Sequence, residues 1–145
     1  MTREAGPGQL YLVDTSVHAR LNHQAVRNVL AGLITDRAAA TCVTVDLEAG
    51  YSGRDHDDVQ AIAERRRRLY VVLPVSEVIA QRARDVQVRM AARGYHRAAG
   101  VIDLLTAALA EHHGAIVLHY DIDFEHIAAT TGQPHTWVAP PGTVD

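Results

Sequence analysis

Carboxylates recur in this chain where short apolar runs give way to helical patterns. Asp14 closes the run Leu10-Tyr11-Leu12-Val13, and Glu48 lies one turn into the helical stretch that follows a second run. Asp103 opens an apolar helical segment, and Asp121 and Asp123 follow Ala115-Ile116-Val117-Leu118-His119-Tyr120. Close carboxylates cannot all stay ionised without a cation, because each raises the pKa of its neighbours. Hard oxygen donors in that number suit Mg²⁺ or Mn²⁺. Such sites serve phosphoryl chemistry, activating water and stabilising a leaving oxygen. Each acid also has a plainer reading. Asp14 could cap the next helix, Glu48 could sit on a solvated face, Asp103 could complement a helix dipole, and Asp121-Ile122-Asp123 could be a turn. The apolar surroundings of Asp103 (Val101, Ile102, Leu104, Leu105, Ala108, Leu109) predict a buried carboxylate, which needs a partner. Four element ends carrying acids together favour a metal site.

The elements that must position these acids follow from apolar periodicity. Strands are predicted over residues 10–13, 38–43, 70–75, 115–120 and 135–138. Helices are predicted from about residue 16, over 24–35, from Thr44 as N-cap, over 58–69, from the N-cap Ser76 to about 93, over 101–113, and over 123–130. Gly94 and Gly114 are placed to end two of them. Continuous apolar strands alternating with helices predict an α/β fold with a parallel sheet of about five strands covered on both faces. Ligands of such sheets sit outside the carboxyl ends of the strands. Asp14 and Asp121 would then emerge at the same edge.

Composition narrows the chemistry. The 145 residues suit a single domain, with a folded core of about 9–139, short tails at both ends and a loose tail from Pro140. All 14 basic residues are arginine and net charge is −3. Without lysine there is no P-loop, no Schiff-base chemistry, and no receiver-type or haloacid-dehalogenase-like site of the usual kind. The single cysteine, Cys42, excludes an internal disulfide framework and points to a reducing cytoplasm. No run is long and apolar enough for a membrane span or a signal peptide.

Four segments occur in order: Leu12-Val13-Asp14-Thr15-Ser16; Thr44-Val45-Asp46-Leu47-Glu48 followed by Tyr51-Ser52; Asp103-Leu104-Leu105-Thr106-Ala107-Ala108; and His119-Tyr120-Asp121-Ile122-Asp123-Phe124. In this register, from about residue 10 to 138, the chain resembles a PIN-domain ribonuclease, the toxin half of a VapBC-type toxin–antitoxin pair. The resemblance implies a three-layer sandwich and a metal-dependent endoribonuclease leaving 5′-phosphate and 3′-hydroxyl ends. It implies Asp14, Glu48, Asp103 and Asp121 as the catalytic acids. With Asp123 they would hold Mg²⁺, for which Mn²⁺ may substitute, and the hydroxyl of Ser16 or Thr15 would assist. Further implications are a cognate antitoxin, a structured RNA substrate such as tRNA or rRNA, and a homodimer. His119 stands where a threonine or serine often precedes the last acids, so the hydroxyl expected there is missing. The alternatives are a PIN-like RNA- or protein-binding module with an inactive site, and a Mg²⁺-dependent α/β phosphatase, against which the missing lysine counts.

Other conspicuous residues have bland readings. Arg65-Arg66-Arg67-Arg68 reads as a solvated last helical turn matching the dipole. Arg82, Arg89 and Arg93 fall within about 40° on a helical wheel, bordering the stripe Ile79, Ala83, Val86, Met90; they could follow a phosphate backbone or be solvated. Nine histidines show no His-Glu-x-x-His spacing, so zinc is not favoured. Trp137 reads as core and Cys42 as a buried small apolar residue.

Overall fold

The computed structural model describes residues 8–145; the predicted N-terminal tail lies mostly outside them. The chain runs β1 (Tyr11–Val13), α1 (Thr15–His18), α2 (Gln24–Thr35), β2 (Ala39–Thr41), α3 (Val43–Tyr51), α4 (His56–Leu69), β3 (Val71–Val72), α5 (Glu77–Ala92), α6 (Val101–His112), β4 (Ile116–His119), α7 (Asp123–Thr131) and β5 (His135–Trp137). The five strands form one parallel sheet in the order β3-β2-β1-β4-β5. β1 is central, with Leu12 opposite Ala40 on one side and Val117 on the other.

Alternation along the strands divides the interior in two. Leu12, Ala40 and Val117 point to one face, where they meet Ile79, Val86 and Met90 of α5, Leu109 of α6 and Phe124 and Ile127 of α7. Val13, Ala39 and Leu118 point to the other, against Val17 of α1 and Val26 and Leu30 of α2. This is the predicted three-layer α/β arrangement: a period of two on the strands feeding two apolar layers. Burying each large aliphatic side chain contributes about 1.5–3 kcal/mol. The Ser76 hydroxyl accepts from the Ile79 amide and caps α5, as predicted. Among the described residues no helix is long and apolar enough to cross a membrane.

The structure corrects several expectations. The third strand stops at Val72, with one further bond from the Leu73 amide to Thr41; Pro74 has no N–H to continue the ladder. Thr44 lies inside α3, whose N-cap is Cys42. Thr106 Oγ1 donates to the Ile102 carbonyl, so the Thr44 hydroxyl must donate to Thr106 at 2.7 Å and is left to accept from the buried Cys42 thiol at 3.1 Å. That chain satisfies three buried polar groups, which capping by Thr44 would not. Trp137 is half-buried on the edge strand β5, its indole N–H donating to Glu125; its polar tip needs a partner at the surface. The C-terminal tail is not loose. Val144 is buried beside Val13 and Val17, and the Tyr120 hydroxyl donates to Asp145.

The largest correction is Arg66. Three arginines of the run are exposed, but Arg66 is 6% exposed. Its Nε donates to Asp46 at 2.8 Å, its Nη2 donates to Thr41 at 2.8 Å, and its guanidinium lies over the Tyr70 ring. The run must present one of its faces to the sheet, and Asp46 and Thr41 are waiting there. Removing one member of a buried pair leaves the other uncompensated. Arg66→Met should therefore lower stability in urea titrations by about 1–3 kcal/mol, reduced from the buried-pair range because Asp46 is partly exposed. Arg67→Met should change it by less than about 0.5 kcal/mol; equal effects would mean that the two arginines are equivalent.

Beside Arg66, His18 accepts from the Tyr70 hydroxyl at 2.6 Å. Burial, and then the Arg66 charge, push His18 down to about 4, and burial with the neighbouring His135 pushes His119 to about 3. Below about pH 6.5 the unfolded chain takes up protons on these imidazoles while the folded chain does not. Stability should be level on this account above pH 6.5 and fall as the pH drops from 6.5 towards 4. Urea midpoints across that range should show the fall, and His18→Gln should make it shallower.

Candidate metal centre

The last β1–β4 rung, from the Asp14 amide to the Leu118 carbonyl at 2.9 Å, places Asp14 and the residues after β4 side by side at the carboxyl edge. Here β1 lies between strands reached in opposite directions, the usual place for a ligand crevice. Asp14 is 3% exposed. Its Oδ2 accepts from the Ser16 amide at 3.0 Å and so caps α1, while Oδ1 is buried with no hydrogen-bond partner among the described residues. Capping therefore occupies one oxygen of Asp14 and leaves the other without a partner among the described residues.

Glu48 approaches from α3. Its Oε2 accepts from the Thr15 hydroxyl at 3.2 Å, and Oε1 is likewise buried and unpartnered. Asp103 comes from the first turn of α6 and is half-buried, less than its apolar neighbours predicted, because Val101 and Ile102 face outwards. After β4 the chain turns tightly, Asp121 Oδ1 accepting from the Asp123 amide at 3.0 Å. One carboxylate oxygen each from Asp103, Asp121 and Asp123 lies within 4.8 Å of the others.

The electrostatics tie Asp14 and Glu48 to this trio. Burial raises Asp14, helped by the charge of Asp121; burial and then Asp14 raise Glu48. Asp103 is pushed up to about 8 by burial, a hydrogen bond to Asp123 and the charges of Asp14, Asp121 and Asp123. Three carboxylates thus cluster, Asp14 and Glu48 feel the charges beside them, and two buried acceptor oxygens have no partner among the described residues. Buried acceptors without donors are costly, and a divalent cation would relieve both the repulsion and the vacancy in hydrogen bonding. The donor set fits Mg²⁺ or Mn²⁺, which favour carboxylate oxygens.

Of the two hydroxyls considered, Thr15 reaches an acid, whereas Ser16 Oγ accepts from the Tyr120 amide at 2.9 Å and holds the end of β4. Sequence reasoning missed Gly100. Its amide donates to Asp123 Oδ2 at 2.9 Å, and a Cβ there would lie 3.1 Å from Asp103 Oδ2. A glycine three residues before a buried-helix acid was the available signal. The arginine row on α5 is largely committed to the fold: Arg82 grips Glu111 with two bonds, and Arg93 donates to the Ala129 carbonyl and Thr130, leaving Arg89 exposed.

A parallel sheet with a carboxylate cluster at its switch point defines a class of metal-ready α/β domain. The family model described as PIN domain matches residues 11–130. The chain is 41% identical over 133 residues to Ribonuclease VapC21 of Mycobacterium tuberculosis, covering 92% of this chain and 96% of that one. It is 43% identical over 141 residues to Ribonuclease VapC51 of the same species, covering 93% and 97%. A solved structure of VapBC-5 from M. tuberculosis, described as a member of the VapBC family of toxin–antitoxin systems, is similar at TM-score 0.59 and 26% identity over 90% of this chain and 98% of that one. The chain belongs to the PIN-domain family, among the VapC ribonucleases.

The pKa of Asp103 carries a sign. A carboxyl raised in the folded state costs stability as the pH rises from its unfolded value near 4 to about 8. In EDTA at pH 7–8, Asp103→Asn should therefore melt at the same temperature as the parent or higher. Saturating Mn²⁺ should raise the parent's melting temperature by mass action and the variant's by less. An identical Mn²⁺ shift in both would remove Asp103 from the site.

Proposed function

We propose that this protein is a divalent-metal-dependent endoribonuclease that hydrolyses RNA phosphodiester bonds, acting as the toxin of a toxin–antitoxin pair. The observation that carries the reading is the Asp103, Asp121 and Asp123 cluster, coupled by charge to Asp14 and Glu48, whose Oδ1 and Oε1 are buried without a partner among the described residues. The names of the VapC ribonuclease relatives support it. Asp14, Glu48, Asp103 and Asp121 would be the catalytic acids, and with Asp123 would hold the metal. Mg²⁺, or Mn²⁺ in its place, supplies when bound a Lewis acid for phosphate oxygens and a means of activating water near neutral pH.

The protein's own groups prepare that site. Thr15 orients Glu48 through one carboxylate oxygen, leaving the other free. Ser16 and the Asp14 amide clamp the end of β4 to α1 and β1, so the two acid-bearing segments cannot drift apart. Gly100 lets the backbone come close enough to anchor Asp123. None of the five acids is replaced, which disfavours the inactive binding module.

Residues 1–145 would form one PIN domain working in the cytoplasm. An antitoxin segment would lie along the mostly apolar cavity of about 490 Å³ that opens from Thr15 and Glu48 between α1, α2 and α4, with Ile62, Leu69 and Tyr70 in its wall. An arginine from that segment would suit the cluster, since its fork binds carboxylates bidentately. The exposed Leu47, Tyr51, Val101 and Ile102 offer an apolar surface for a second copy. The substrate would be a structured RNA such as a tRNA or rRNA stem–loop, recognised by shape and unstacked bases.

Purified protein should cut structured RNA in Mg²⁺ or Mn²⁺, with 5′-phosphate ends, and stop in EDTA. Asp14→Asn should cut at least about 100-fold more slowly, beyond the usual cost of losing an outer-shell contact. Undiminished cutting in EDTA would overturn the metal-dependent reading.

A further inference from the structure

His119 lies in β4 just before the acid turn and is wholly buried. Its ring packs among Phe124, His135 and Trp137, with centroids about 5 Å apart. Two polar contacts decide its chemistry. The Asp121 amide approaches Nδ1 at 3.1 Å, and His135 Nδ1 lies 2.8 Å from Nε2. A backbone N–H can only donate, so His119 Nδ1 must be the bare, accepting nitrogen. The proton of the neutral ring then sits on Nε2 and needs an acceptor, which His135 Nδ1 provides. His135 in turn carries its own proton on Nε2. The direction of the whole chain follows from one donor, the Asp121 amide.

We propose that His119 is a positioning residue for the metal centre, in the Nε2–H tautomer that the Asp121 amide selects and that His135 satisfies. Its lone pair orients the Asp121 peptide. Asp121 Oδ1 then receives the Asp123 amide, and the two carboxylates are aimed at Asp103. His119 does the orienting that a hydroxyl before the acid pair would otherwise do, but its ring also spans to β5 and recruits a second histidine. Neither imidazole belongs to the carboxylate group itself. The inference rests on the reading of Asp121 and Asp123 as metal ligands.

The test measures Mn²⁺ affinity of the whole chain by calorimetric titration, with no RNA present. In H119N the amide oxygen takes the place of Nδ1 and can still accept from Asp121; in H119Q the amide reaches the Nε2 side instead and leaves that N–H unpaired. Mn²⁺ affinity should stay within about threefold for H119N and fall about 10–100-fold for H119Q, the range for outer-shell contacts. The half-exposed His135 offers a second pair should a buried variant fail to fold. H135N keeps an acceptor for His119 and should bind as the parent does, whereas H135L should lose affinity without touching a carboxylate. Ring ¹⁵N shifts should show His119 protonated on Nε2 in the parent. Equal affinities within the folded pair, or a His119 protonated on Nδ1, would overturn this inference alone. A parent that binds no Mn²⁺ would overturn the metal reading and this inference with it.

Discussion

Pairing β1 with β4 brings Asp14 and Asp121 to one edge although they are far apart in the chain. Everything at the site follows from accepting that proximity. Two unit charges about 4 Å apart repel by roughly 1–4 kcal/mol, depending on how far water penetrates, and three further carboxylates add to the cost. The sheet can hold them together only because both its faces are packed and the β1–β4 ladder is anchored beyond its last residue by Asp14 and Ser16.

The polar groups around the cluster divide the labour by chemistry. Backbone amides, which carry no net charge and cannot move far, take one oxygen each from Asp14, Asp121 and Asp123. The Thr15 hydroxyl takes one from Glu48. Asp14 and Glu48 each keep a buried oxygen without a partner among the described residues. Asp103 has no such donor among the described residues; burial, and then its contact with Asp123, push its carboxyl up. Four acids are thus held by donors of the fold, and the fifth meets another carboxylate.

Away from the site, the buried polar network of Arg66, Asp46, Thr41, His18 and Tyr70 ties α4 to the edge of the sheet and to α1. It forms part of the wall of the cavity that opens at Thr15 and Glu48. His18 also lies 3.4 Å from the Asp14 carbonyl, so the same imidazole touches the wall and the backbone of the first acid. The packing that supports the carboxylate cluster and the surface next to it are therefore physically continuous.

The sequence by itself determined the element order, the parallel sheet and the placing of five acids at the ends of elements. These depend on local signals: apolar runs of strand length, helix caps such as Ser76, and carboxylates at the ends of runs. Tertiary structure decided whatever depended on which side of an element meets a neighbour. Arg66 looked like its neighbours until α4 turned one side to Asp46, and Thr44 looked like a cap until α6 brought Thr106 to it. Gly100 became a donor to Asp123 because α6 and α7 meet. His119 looked like a departure from a pattern until β5 supplied His135. In each case the partner is distant in sequence, and a hydrogen bond across the fold outweighed the local preference because a buried polar group left unpaired costs more than a cap contributes.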